Sequence, residues 1–205
     1  MKSEQVDERD SAWEDDQPRF RFSLFTGAGS AVRTMDLWDC TVTQALVAAS
    51  ESDDEGLWSL ALVGERDGVR GLTWLSGYDY NDAPTTPTQW RARAEMQNRY
   101  LSRRAIRGDP IVLPNGLRVV RMFPEWVGGP LWESSTDNYP ADSLLLGLSP
   151  ALSADVAEWN EQWGRRDVDE ALPNEAAWLA RGWELWARVR DELAGVAEVH
   201  PEFAY

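Results

Sequence analysis

The sequence predicts an α+β fold: an antiparallel sheet of hairpins covered by helices, with a helical C-terminal third. Three observations predict it. Strand-length apolar runs come in pairs joined by short turns in the first two thirds, helical apolar spacing dominates the last third, and strand and helix do not alternate as they do in parallel βαβ folds. At 205 residues the chain has room for one full hydrophobic core. An apolar fraction of 43% with twelve tryptophans is the composition of a folding chain. The domain reading is an acidic disordered tail over 1–18 and a single α+β domain over 19–205.

The first 17 residues, MKSEQVDERDSAWEDDQ, have one large aliphatic residue besides the initiator, Val6, and no apolar periodicity, which makes them an acidic tail. Trp13 is its odd member. FRFSLFT at 20–26 alternates in part and predicts a strand running into a turn at 27–30. TVTQALVAAS at 41–50 repeats Val42, Ala45, Leu46 and Ala49 at helical spacing. LWSLALV, ERDG and VRGLTWL then form a hairpin signal around a short Asp-Gly turn. The loop GYDYNDAPTTPT follows and opens into a basic helix over 90–107. IVL, PNG and LRVVRMF give a second hairpin candidate, and a Pro- and Gly-punctuated loop carries Trp126 and Trp132.

Two helices fill the last third. Ser149 is placed as an N-cap with Pro150 at the first helical position and Gly164 as the stop, and Leu152, Val156, Trp159 and Trp163 form one stripe. The next has Asn174 as cap and Gly195 as stop, with Trp178, Leu185, Trp186, Val189 and Leu193 on one face at about 100° per residue. EVHPEFAY closes the chain as an edge strand limited by Pro201.

The formal net charge of −15 disfavours nonspecific attraction to nucleic acid or anionic membrane and suits a basic partner. Against that background, residues 90–109 carry six arginines and two acids. A helical wheel puts Trp90, Ala94, Leu101 and Ala105 on an inner stripe and Arg99, Arg103 and Arg107 on the outer side. Three readings stay open for these arginines: pairs with the protein's own carboxylates, an anion-binding site, or a patch for an acidic protein surface.

The one cysteine, Cys40, excludes an internal disulfide, and with one histidine, His200, there is no zinc constellation of the usual kind. His200 reads as a terminal surface or edge residue rather than a catalytic one. TGAGSAV at 26–32 has Val32 where a dinucleotide-binding pattern needs its third glycine, so it reads as a turn. No cofactor and no metal site is expected. The 77–82 loop mixes aromatic and short polar residues, which suits either a turn or a recognition loop. No signal peptide or roughly 18-residue apolar span appears, and a cytoplasmic location is expected.

From PLW at 130–132 through LGLSPALSADVAEWNEQW to GWELWARVRDELAG and the closing strand, the C-terminal third resembles small, uncharacterised immunity-like proteins of high-GC bacteria. The resemblance implies a binding protein and supplies no catalytic residues. The expected function is an acidic, cytoplasmic, immunity- or inhibitor-type protein that neutralises a basic protein such as a toxin or nuclease, with no direct nucleic-acid binding. Its expected contacts are Tyr78, Asp79, Tyr80, Asp82, Trp126 and Trp132. Two rivals remain: an enzyme holding an anionic substrate on Arg99, Arg103 and Arg107, and a DNA mimic with acidic rows between Asp155 and Glu192.

Overall fold

Phe20, Phe22 and Leu24 alternate with Arg21, Ser23 and Phe25, and that alternation lets one strand serve two apolar layers. In the computed structural model, which describes residues 3–7, 9, 16–136, 140–167 and 169–204, this strand is β1 (Arg19–Thr26). It pairs antiparallel with β2 (Ala31–Leu37) on one side and β3 (Leu57–Arg66) on the other, and β3 pairs with β4 (Val69–Ser76), giving the order β2-β1-β3-β4. The 27–30 segment is the turn between β1 and β2. Of the acidic tail expected over 1–18, residues 1, 2, 8 and 10–15, Trp13 included, lie outside the described residues.

The four-stranded sheet carries a helix on each face, not on one side only. Phe20, Phe22, Leu24, Trp58 and Leu60 meet Ala45 and Ala49 of α1 (Val42–Ser50), while Phe25 and Leu57 pack with Met96, Tyr100 and Leu101 of α2 (Pro87–Arg107). Both helices start at a capping box, Thr41 with Gln44 and Thr86 with Gln89, and α2 has Pro87 in its first turn. The buried side of α2 is Met96, Gln97, Tyr100 and Leu101, rotated from the predicted stripe. Two polar side chains on that side, Arg93 and Gln97, have internal partners, and sequence periodicity counts only apolar ones.

The second hairpin candidate is corrected. Ile111 to Leu113 forms no strand, and β5 (Arg118–Met122) pairs instead with β6 (Leu131–Glu133), antiparallel, and with β7 (Ala197–His200), parallel. Between β6 and β7 run a short helix α3 (Ser143–Leu146), α4 (Pro150–Gly164) and α5 (Glu175–Glu192), the long crossover that parallel pairing requires. Ser149 caps α4 as expected; Asn174 precedes α5 with a left-handed backbone and no side-chain cap bond. Leu152, Val156 and Trp159 meet Trp178, Leu185 and Val189 over this smaller sheet.

Asp36 on β2 bridges Arg19 and Arg21 on β1. The hydrogen bond from Arg21, offset in part by burial, holds its carboxyl down to about 2 from an ordinary 3.8. A carboxyl with a lowered folded value stabilises fully above its unfolded value and loses that stabilisation as pH falls through the folded one. Urea unfolding of the wild-type protein is therefore expected to lose stability between pH 3.8 and about 2, and Asp36→Asn to flatten that acid limb. An identical acid limb in the two proteins would refute the role of Asp36.

Candidate functional site

Strand alternation in β7 sends Ala197 and Val199 into the α4–α5 core and leaves Glu198 facing α2. On α2, Arg93 and Gln97 are one turn apart and reach it together. Glu198 Oε1 and Oε2 accept from Arg93 Nε and Nη2, the latter at 3.0 Å. Gln97 Nε2 donates to Oε1 at 2.9 Å, and the Tyr80 hydroxyl donates to Oε2 at 3.2 Å. Arg93 Nη1 turns away to the Tyr80 carbonyl at 2.8 Å. His200 is fully buried, its Nε2 3.2 Å from Glu198 Oε1 and its ring edge-on to Trp90 at 5.2 Å. The expected surface or edge histidine is thus a core residue, because β7 lies under α2 and α5.

Burial pushes the Glu198 carboxyl up, but hydrogen bonds from His200 and Arg93 outweigh it and hold the group well below the usual carboxylate range. Burial, reinforced by Glu198, pushes the Tyr80 hydroxyl well above its ordinary value, and burial raises Tyr78 as well. Above this network opens a cleft of about 610 Å³, lined by Tyr80, Asp82, Trp90, Arg93, Trp186 and Glu198 among others. The charged groups at its floor are spent on one another. Among the described residues no group of three or more His, Cys, Asp or Glu side chains is placed to hold a metal ion.

Three of the six expected contact residues are corrected. Tyr78 and Tyr80 are each 4% exposed and Trp132 is 5% exposed. Their polar tips find internal acceptors: Tyr78 donates to the Asp82 carbonyl at 3.0 Å and Trp132 Nε1 to the Phe123 carbonyl at 3.2 Å. An amphipathic ring with its tip satisfied packs in a core as readily as it binds a partner. Asp79 and Asp82 are exposed, Asp79 accepting from the Asn81 N–H at 3.0 Å. Trp126 is 40% exposed at the far end of α4, against Trp163 at 4.6 Å, with Arg166 over both rings.

The arginines of α2 meet the protein itself. Arg99 is half-buried, not outward-facing: it donates to Ser76 Oγ at 3.1 Å and the Trp58 carbonyl at 3.0 Å and lies over the Trp58 ring. Burial lowers its pKa. Arg103 pairs with Asp53 at 3.2 Å, and Arg107 with Asp54 at 3.1 Å. On α4 and α5 and at the end of α4, acids pair with arginines, Asp155 with Arg188, Glu161 with Arg165 and Glu184 with Arg181, which offsets the negative charge that a DNA mimic would present there.

Residues 118–201 match the family model described as Serratia CdiI immunity protein-like. This segment is immunity-protein-like. It begins with β5 and takes in the whole three-stranded sheet and α3 to α5, about two fifths of the chain, while the four-stranded sheet and α2 lie outside it. Comparison with curated proteins and with solved structures gave no match. No helix among the described residues is long and apolar enough to cross a membrane. Sequence reasoning missed Glu198 and Arg93; the two-residue spacing that puts Glu198 and His200 on one face of β7 and the one-turn spacing of Arg93 and Gln97 are signals that could have found them.

Proposed function

We propose that this is an immunity-type protein that binds and neutralises a toxin partner, and that the partner presents a basic surface, as a nuclease does. The observation that carries the reading is the match of residues 118–201 to the immunity protein-like family. Charge supports the finer part. That segment holds 15 acids against 7 arginines, residues 18–117 hold 12 acids against 11 basic residues, and residues 1–17 hold 7 acids against 2 basic residues, so the negative charge sits on the immunity-like segment and on the N-terminal tail. A field of one sign raises the association rate with a basic partner and selects against acidic ones.

The contact residues we retain are Asp79, Asp82 and Trp126, with Trp126 as the aromatic anchor beside the exposed Val127. The protein acts in the cytoplasm on this reading. Co-expression with its cognate toxin is expected to restore growth, and the two purified proteins to form a complex whose association slows as salt rises. Trp126→Ala is expected to weaken the complex by about 30-fold, the size of an interface hot spot. A toxin that neither binds the protein nor loses its effect on co-expression overturns the reading.

A further inference from the structure

Among the described residues, strand β4 is a free edge of the four-stranded sheet, and seven of its eight residues are exposed. Val69 is 70% exposed, and Leu72, Trp74 and Leu75 are each about 40% exposed. Over Val69 to Trp74, before the irregularity of register at Leu75, this edge pairs regularly with β3, carries no proline and has one charged residue, Arg70, so it can accept another strand along that stretch. The neighbouring turn sets its hydrogen-bonding phase. Asp67 and Gly68 both have positive φ (52° and 77°), and Arg66 pairs with Val69, which is a two-residue hairpin turn of the primed kind. The closing pair exchanges both backbone bonds, so Val69, Gly71 and Thr73 point their backbone groups at β3, and Arg70, Leu72 and Trp74 point theirs outward.

We propose that a second copy of this chain pairs with β4, antiparallel about a two-fold axis at Leu72, joining the two sheets into one of eight strands. In this register Leu72 faces its own copy and Arg70 faces Trp74 twice, over the stretch of β4 that precedes the irregularity of register at Leu75. Leu72 and Trp74 each gain an apolar or cation–π neighbour. Centring the axis one residue later would pair Leu72 with Trp74 but set Arg70 against Ser76, leaving the guanidinium without the indole. A self-complementary patch of this kind is what a closed two-fold interface needs.

Charge within the sheet itself permits a second copy: residues 18–117, which build the four-stranded sheet and its two helices, carry 12 acids and 11 basic residues, so repulsion between two copies comes from the rest of the chain, including the 7 acids and 2 basic residues of 1–17, which join the sheet at Arg19, and salt is expected to relieve it. The inference uses only residues outside 118–201 and does not depend on the toxin-binding reading.

Sedimentation equilibrium of the full chain between roughly 1 and roughly 100 µM is expected to show a reversible monomer–dimer equilibrium. Trp74→Lys sets two like charges face to face at each Arg70 and is expected to raise the dimer dissociation constant by tenfold or more. Arg70→Glu combined with Trp74→Lys turns each clash into an ion pair and is expected to recover most of that loss, a rescue that a merely unfolded variant cannot give. Circular dichroism of each variant reports the fold. A chain monomeric throughout overturns the proposal and leaves the edge to a strand of another protein. A dimer indifferent to Trp74→Lys, or a double variant as weak as the single one, overturns it too.

Discussion

Glu198→Ala is expected to lower the free energy of unfolding by about 3–5 kcal/mol, because it strands the guanidinium of Arg93 without its counter-charge in a site that water barely reaches. The side chains of the pair are 14% and 16% exposed. The loss falls on more than one bond: Gln97 Nε2 keeps only the Tyr80 hydroxyl, and Tyr80 loses its carboxylate acceptor. Arg93→Met with Glu198→Met removes both charges and is expected to recover most of the loss, since a buried pair contributes far less than the cost of breaking it. Urea unfolding of the two single variants and the double gives the coupling directly. A single variant within about 1 kcal/mol of wild type would show that the pair is solvated and not a clamp. Acid weakens the same clamp: Glu198 is held below its usual range in the fold, so its contribution is complete above the ordinary carboxylate value and declines as pH falls below it. The pair joins positions 105 residues apart and ties α2, outside the immunity-like segment, to β7 inside it.

What the sequence made legible follows from how local each signal is. The hairpin of β3 and β4 was readable because Asp67 and Gly68 supply the positive φ of its turn, and α4 because Ser149, Pro150 and an apolar stripe act within a few residues of one another. β2 was missed: five of its seven residues are exposed, so AVRTMDL offers neither alternation nor an apolar run. The parallel pairing of β5 with β7 was missed because nothing near Arg118 records a partner about 80 residues on. Composition marks Tyr78 and Tyr80 as recognition residues, whereas the Tyr80 hydroxyl is satisfied by a carboxylate 118 positions away. A helical wheel puts Arg99 on the outer side of its helix because an arginine counts as polar whether its guanidinium meets water or, as here, the Trp58 carbonyl and ring. Asp79, Asp82 and Trp126 remain exposed, as a contact residue must be, although exposure alone does not select a partner.

Trp159→Ala is expected to cost about 3–5 kcal/mol, the range for deleting a large buried aromatic, and to do so inside the segment that matches the immunity protein-like family. The indole is 1% exposed and stacks on Trp178 at 4.4 Å and 12°, with the Phe203 ring edge-on at 5.3 Å. Each indole N–H donates to the other residue's carbonyl at 3.1 Å, so the stack joins α4 to α5 by two hydrogen bonds as well as by area. Gly182 lies one turn past Trp178, where an added Cβ would stand 2.8 Å from the Phe203 ring, and the packing around the stack has little room to collapse into the space an alanine leaves. Trp159→Phe keeps a ring in place while losing one of the two hydrogen bonds, and it is expected to cost about 1–2 kcal/mol. Chemical denaturation of the two variants separates the contributions. Equal losses would mean that the hydrogen bond, not the ring, carries the stability, whereas a loss for alanine below about 1 kcal/mol would mean that α4 and α5 are held together elsewhere. Because α4 and α5 also cover β5 and β7, loosening this stack should disturb Trp126 and Trp163 at the end of α4 before it reaches the four-stranded sheet. Trp159→Ala is therefore expected to weaken the proposed complex with a toxin at temperatures where circular dichroism still reports a folded chain.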